Sequence, residues 1–148
     1  MKGEIIPDAH HVSRLCGGSH IREDGTISAT AFRLRPGESY LSVNWLEQLG
    51  LASRQAEVSE IWRVLATKRK IGASARLAVL NVGSAREIVT GLTDEPRRLS
   101  FRHEPEAPPD AADDPSHSGI HGIREDDNLV AELLARSVLE SHAPQRMS

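Results

Sequence analysis

TISATAFRLRPGESYLSVNWLEQLG, residues 26–50, decides the fold class. In SYLSVNWL (39–46), Leu41, Val43 and Trp45 alternate with Ser42 and Asn44. A period of two marks a strand with one buried face. Upstream, Thr30, Phe32 and Leu34 alternate with Ala31, Arg33 and Arg35. Pro36–Gly37 lies between the two runs: proline presets one φ angle and glycine accepts a positive one. The stretch predicts an antiparallel hairpin. Pro-Gly suits a type II turn, so the connection has reason to be wider than the tightest hairpin loop. EDGT (23–26) is a second turn and leads back to a first strand around HHVSRLC (10–16).

Working outward, Ser53 is a good N-cap, and Val58, Ile61, Trp62 and Leu65 recur at i, i+3, i+4 and i+7. That spacing predicts a helix with one apolar stripe. Lys68, Arg69 and Lys70 fall in its last turn, where positive charge complements the dipole, and Gly72 is placed to end it. ARLAVLNV (75–82) has little polar interruption and reads as a strand covered on both faces. GSAREIVTG (83–91) reads as a short helical turn opened by Gly83–Ser84. RRLSFRH (97–103) reads as a short strand with Leu99, Phe101 and His103 on one face. Residues 104–116 shift to Pro, Ala and acids, the composition of a mobile loop. EDDNLVAELLARSVLESH (125–142) predicts a helix: Glu125, Asp126 and Asp127 stand at its start, and Val130, Leu133, Leu134 and Val138 form its stripe. The tail, 143–148, should fray. The expectation is an α+β protein: a mixed or antiparallel sheet of about four to six strands with two main helices packed on it.

A chain of 148 residues fits a single domain, 1–148, large enough to fold without disulfides. It has one cysteine, Cys16, so no internal disulfide forms. The opening MKGEIIPDAH holds no apolar run suited to a signal peptide, and no stretch approaches the roughly 18 apolar residues of a membrane span. The expectation is a cytoplasmic protein that does not enter membranes. The formal net charge of −3 argues against nucleic acid as a partner, since such domains are strongly basic. The few aromatics, Phe32, Tyr40, Trp45, Trp62 and Phe101, mostly fall on faces that read as core. They offer no platform for bases.

Charge is nonetheless segregated between the basic end of RQAEVSEIWRVLATKRKIGASAR (54–76) and the acidic EPEAPPDAADDP (104–115). Segregation of this kind marks a partner surface, or ordinary solvated faces. The titratable residues gather in two places. HHVSRLCGGSH (10–20) carries His10, His11, Arg14, Cys16 and His20; SHSGIHG (116–122) carries His117 and His121. Cys16 with His20 is C-x3-H and His117 with His121 is H-x3-H, spacings that let each pair share a zinc ion. Cys16 beside the histidines also offers a thiol with a base, and Gly17–Gly18 offers backbone N–H groups. His11–Ser13 reads H-x-S and resembles one of the two motifs of the two-histidine phosphoesterases. The second motif has no counterpart in HEP, HSG or HGI, so no activity is carried over.

Two functions compete. The first is a small accessory protein that binds a larger protein partner through its sheet, its basic helix end and its acidic loop. The second is a small hydrolase or transferase for an anionic substrate. His11, Arg14, His117 and His121 would do its acid–base and anion-holding work. His10, Lys68, Arg69, Lys70 and the Gly83–Ser84 turn would add binding contacts, the last through free N–H groups. No cofactor is expected apart from zinc on Cys16, His20, His117 and His121.

Overall fold

The computed structural model describes residues 2–93 and 98–144. The described strands are β1 (His11–Cys16), β2 (Leu41–Trp45), β3 (Arg76–Asn81), β4 (Ser100–His103), β5 (His117–His121) and β6 (Glu140–His142). The described helices are α1 (Arg54–Lys68), α2 (Val82–Leu92) and α3 (Asn128–Arg136). The strands form one sheet in the order β4-β5-β2-β1-β3-β6, every pairing antiparallel. The protein is α+β. No described helix is long and apolar enough to cross a membrane.

Alternation explains how the sheet is covered. Val12 and Cys16, Leu41, Val43 and Trp45, Ala78 and Leu80, Phe101 and Ile120 share one face. They pack with Ala85 and Val89 of α2 and with Val130, Leu133 and Leu134 of α3. On the other face Leu77 and Val79, with Leu15 and Leu46, meet Val58, Ile61, Trp62 and Leu65 of α1. The expected α1 is present: Ser53 Oγ accepts from Ala56 N, and the stripe is buried. Each such side chain contributes roughly 1.5–3 kcal/mol on burial. The helix stops at Lys68 with an extended C-cap at Arg69, before Gly72.

Leu41, Val43 and Trp45 are buried as their alternation requires, but β2 does not pair with residues 30–34. Ala29–Phe32 is a 3-10 turn, with Thr30 N donating to Ser28 Oγ. The reason lies in burial: Ala31, Phe32 and Leu34 are all buried beneath α3. Adjacent buried residues cannot sit on one face of a strand, whereas a tight turn buries them together. Pro36–Gly37 still turns the chain, with Gly37 at φ 88°. The 23–26 turn is also present: Gly25 N donates to Arg22 O, and Ile21 bridges Ile27.

The other differences follow from local hydrogen bonding. The 83–91 segment is part of an 11-residue helix, because Asn81 caps it by accepting from Ser84 N. The 125–142 helix ends at Arg136. Ser137 Oγ bonds back to Leu133 O, and the chain then returns as β6 beside β3. Residues 117–121 are a strand inside the sheet rather than part of a loop. The 104–116 segment is closed by reciprocal backbone bonds between Glu106 and Asp114. Arg97 of the RRLSFRH stretch and most of the 143–148 tail lie outside the described residues.

Candidate functional site

The sheet divides between β1 and β2. These strands pair only at Val12 with Trp45 and Ser13 with Asn44. Yet β1 continues against β3 as far as Cys16–Arg76, and β2 pairs with β5 from Asn44–His117 back to Leu41–Ile120. Their far halves therefore lean on different neighbours and part. Arg14 spans the opening, its Nε donating to Ala31 O at 3.0 Å and its Nη1 to Ser42 O at 2.8 Å. Parity along β1 starts this side chain on the α2/α3 side, so its guanidinium rises into the gap from beneath.

A cleft of about 540 Å³ lies over this split. The 17–20 segment, residues 35–38 after the 3-10 turn, β2 and the end of α1 wall it. Five cationic side chains line it, Arg14, Arg35, Lys68, Arg69 and Lys70, against two carboxylates, Glu38 and Glu106. This concentration stands in a chain of net charge −3. Desolvation by burial pushes the Arg14 guanidinium down from its ordinary value, while Cys16 and Glu38 pull it up. His20, at the cleft wall, is also pushed down, first by burial and then by the positive charges of Arg35 and Arg14. A neighbouring histidine thus registers the same positive field.

One end of the cleft is organised by a buried carboxylate. Asp114 is 1% exposed; its Oδ1 accepts from Asn44 Nδ2 at 2.8 Å and its Oδ2 from Lys68 Nζ at 2.6 Å. Lys68 Nζ also donates to Glu106 Oε1 at 3.0 Å. His117 is buried beside them, and its Nδ1 lies 2.8 Å from Glu104 O. A carbonyl oxygen only accepts, so the proton is on Nδ1 and Nε2 faces Glu106 Oε1 at 3.7 Å.

The structure therefore gathers Arg14, His20, Lys68, Arg69, Lys70 and His117 at one cleft. It does not bring the other expected residues there. His11 starts β1 and holds Glu47 through its Nδ1 and its backbone N–H, both at 2.7 Å. Burial raises the Glu47 carboxyl, but those bonds outweigh it and hold it below its ordinary range. Strand spacing and register put His11 about 12 Å from His117, Cα to Cα, and farther from His121. The joint acid–base site expected of His11 with His117 and His121 is thus not assembled. His121 Nε2 meets Glu104 Oε2 at 3.0 Å and stacks near Tyr40. His10 Nδ1 accepts from Trp45 Nε1 at 2.9 Å.

Two further expectations are corrected. Cys16 faces the core, where burial pushes its thiol up to about 11 against a weaker opposite pull from Arg14. It is neither an exposed nucleophile nor a zinc ligand. The zinc set of Cys16, His20, His117 and His121 is not assembled: His20 bonds to Thr30 Oγ1, and His117 and His121 both engage Glu104. Among the described residues no group of three or more His, Cys, Asp or Glu is placed to hold a metal ion. The Gly83–Ser84 turn is also closed to anions. The N–H groups of Val82, Gly83 and Ser84 donate to His10 O, Asp8 O and Asn81 Oδ1. The Asp8 backbone stands 3.1 Å from where a Gly83 Cβ would lie.

The sequence reading missed Arg35, Glu38, Asn44, Glu106 and Asp114. The signal for Asn44 was present, since an amide midway along a strand between Val43 and Trp45 needs partners if its face is covered. Asp114 gave none, being one acid among several in a Pro-rich run. Compared with models of protein families, with curated proteins and with solved structures, the chain matches none.

Proposed function

We propose that this protein is a small binding module whose cleft holds an anionic ligand, anchored on Arg14. The observation that carries the reading is the state of that side chain. It is partly buried at the cleft, it spends two donors on backbone carbonyls, and no carboxylate among the described residues forms an ion pair with it. A half-buried guanidinium with N–H donors left over and no ion-pair partner is a ready site for an arriving anion, which it holds with charge-assisted hydrogen bonds. Arg35, Arg69 and Lys70 have no ion-pair partner among the described residues either, so they add long-range attraction at the rim.

Calorimetric titration with inorganic phosphate, at low and raised salt, tests this. Binding should weaken with salt. Arg14→Met should weaken it about tenfold or more while Arg14→Lys loses less, and Lys70→Ala should cost only a few-fold. Absence of phosphate binding to the folded wild-type protein at low salt, or equal binding by Arg14→Met, refutes the reading.

A larger protein partner is the second reading, favoured by the opposite end of the sheet. There β6 is an edge strand, and Leu139 just before it is 60% exposed. It borders a groove of about 460 Å³ shared with Ile27, Ala135 and Val138.

A further inference from the structure

The anion-binding reading leaves open what kind of anion the cleft takes, and the arrangement of its charges narrows this. The cationic groups deep in the cleft fall at two places along β2. Arg14 sits at the Ser42 carbonyl, whereas Lys68 reaches the level of Asn44 through the Asp114 carboxylate that both bind. Ser42 and Asn44 are two residues apart on one strand, a separation on the order of 7 Å.

The second place is already filled by the chain itself. The Glu106 carboxylate lies 3.0 Å from Lys68 Nζ and 3.7 Å from His117 Nε2. Lys68 does not need it, because the buried Asp114 pairs with the same ammonium at 2.6 Å. Asp114 is fixed by Asn44 and enclosed, but the Glu106 side chain is 44% exposed on the 104–116 loop. Exposed ion pairs are weakly held, so of the two acids Glu106 is the one an incoming anion can replace. The apolar part of the cleft wall is Leu15, Leu65, Ile71 and Ala75, all aliphatic. Such walls suit an aliphatic or sugar-like spacer.

We propose that the cleft takes a small ligand bearing two anionic groups held apart by at least two residues' length of strand, on the order of 7 Å, phosphoryl or carboxyl. One sits on Arg14; the other sits on Lys68 in place of the Glu106 carboxylate, which is the chain's own stand-in for it. The proposal rests on the anion-binding reading of the same cleft and adds the spacing and the displaced residue.

Two probes of equal charge and unequal span separate these ideas: 1,4-butylenediphosphonate and methylenediphosphonate, titrated calorimetrically beside inorganic phosphate. The longer probe should bind about tenfold more tightly than the shorter, because only it engages both places at once. Glu106→Gln should tighten the longer probe several-fold and leave the shorter one nearly unchanged, since the stand-in no longer competes. Equal affinity for both probes overturns the two-point proposal while the anion-binding reading stands. Weaker binding of the longer probe to Glu106→Gln overturns the stand-in role. If phosphate and both diphosphonates all fail to bind, the underlying reading falls and takes this one with it. Glu106 is exposed, so circular dichroism should show Glu106→Gln folded like the wild type.

Discussion

Asp114→Asn keeps the shape of the most buried carboxylate among the described residues and removes only its charge. The Lys68 side chain, 13% exposed, then keeps only Glu106 as a counter-ion. Removing one partner of a buried pair costs about 3–5 kcal/mol in general. Here Lys68 is not fully enclosed and Glu106 remains, so the loss should be about 2–3 kcal/mol. With a urea slope of about 2 kcal/mol per molar, the unfolding midpoint should fall by about 1–1.5 M. Lys68→Met with Asp114→Asn should recover much of the loss, because neither partner is then a stranded charge. A coupling of about 1.5 kcal/mol or more in the four-protein cycle is expected. Hydrogen exchange should show the Glu106 and Asp114 amides, which bond to each other's carbonyls, losing protection before the β1–β3 amides. A loss below about 1 kcal/mol, or strict additivity in the cycle, would refute the reasoning that a buried pair fixes the loop to the end of α1.

Cys16 should resist alkylation in the native state at pH 8 and react freely in denaturant; equal rates would show that the thiol is not enclosed. Its pKa rises from 9.0 to about 11 on folding, so the protonated thiol is favoured in the fold. That contribution is complete below about pH 9 and lost as pH climbs to about 11, on the order of 2–3 kcal/mol. Denaturant unfolding of the wild type and Cys16→Ala across that range should show a fall in the first that is smaller in the second. Ser13→Ala should be neutral or stabilise by up to about 1 kcal/mol, because the buried Ser13 hydroxyl has no hydrogen-bond partner among the described residues; a loss above about 1 kcal/mol would show that the hydroxyl is bonded in solution. Gly119→Ala should destabilise by about 1–3 kcal/mol, because its methyl would run into the Tyr40 ring packed on that backbone. In Tyr40→Ala the same substitution should be nearly silent; an unchanged penalty there would place the cause elsewhere.

Much of the fold was legible because several elements carry their own period and caps. Ser53 with Val58, Ile61, Trp62 and Leu65 sufficed for α1, and the apolar run of 76–81 for β3. Strand partners were not legible. Nothing local to Leu41–Trp45 says that it lies between β1 and β5, since pairing depends on contacts far apart in the chain. The Ala29–Phe32 stretch fits strand alternation, and only burial beneath α3 selects the turn. The cleft was half legible for the same reason. The run of Lys68–Lys70, Arg14 and His117 were all noticed as charged or titratable, but the sequence offers no reason for them to meet. Asp114 is the extreme case: an acid in a Pro-rich loop reads as solvated until Asn44 and Lys68 are seen to enclose it.

The position of the cleft follows from the dimensions of the parts. The sheet is six strands wide, roughly 24 Å from edge to edge at about 4.8 Å per step. On one side α2, α3 and the Ala29–Phe32 turn share the covering; on the other, α1 is the only α-helix among the described residues. A helix with its side chains is about 10 Å across, so it covers little more than two strands. It lies over β1 and β3, where Leu15, Leu77 and Val79 give it an apolar bed. Ser42, Asn44, His117 and His121 occupy the corresponding positions on β2 and β5. A polar surface of this kind cannot bind a helix's apolar stripe, so it must be covered by groups that satisfy hydrogen bonds. Glu104, Glu106, Asp114 and Ser116 do this from the 104–116 loop. The boundary between the two coverings falls where the cationic end of α1 meets the acidic loop, beside the parting of β1 from β2. A cleft lined with charge there is the geometric consequence of covering half a face with a helix and the other half with a loop.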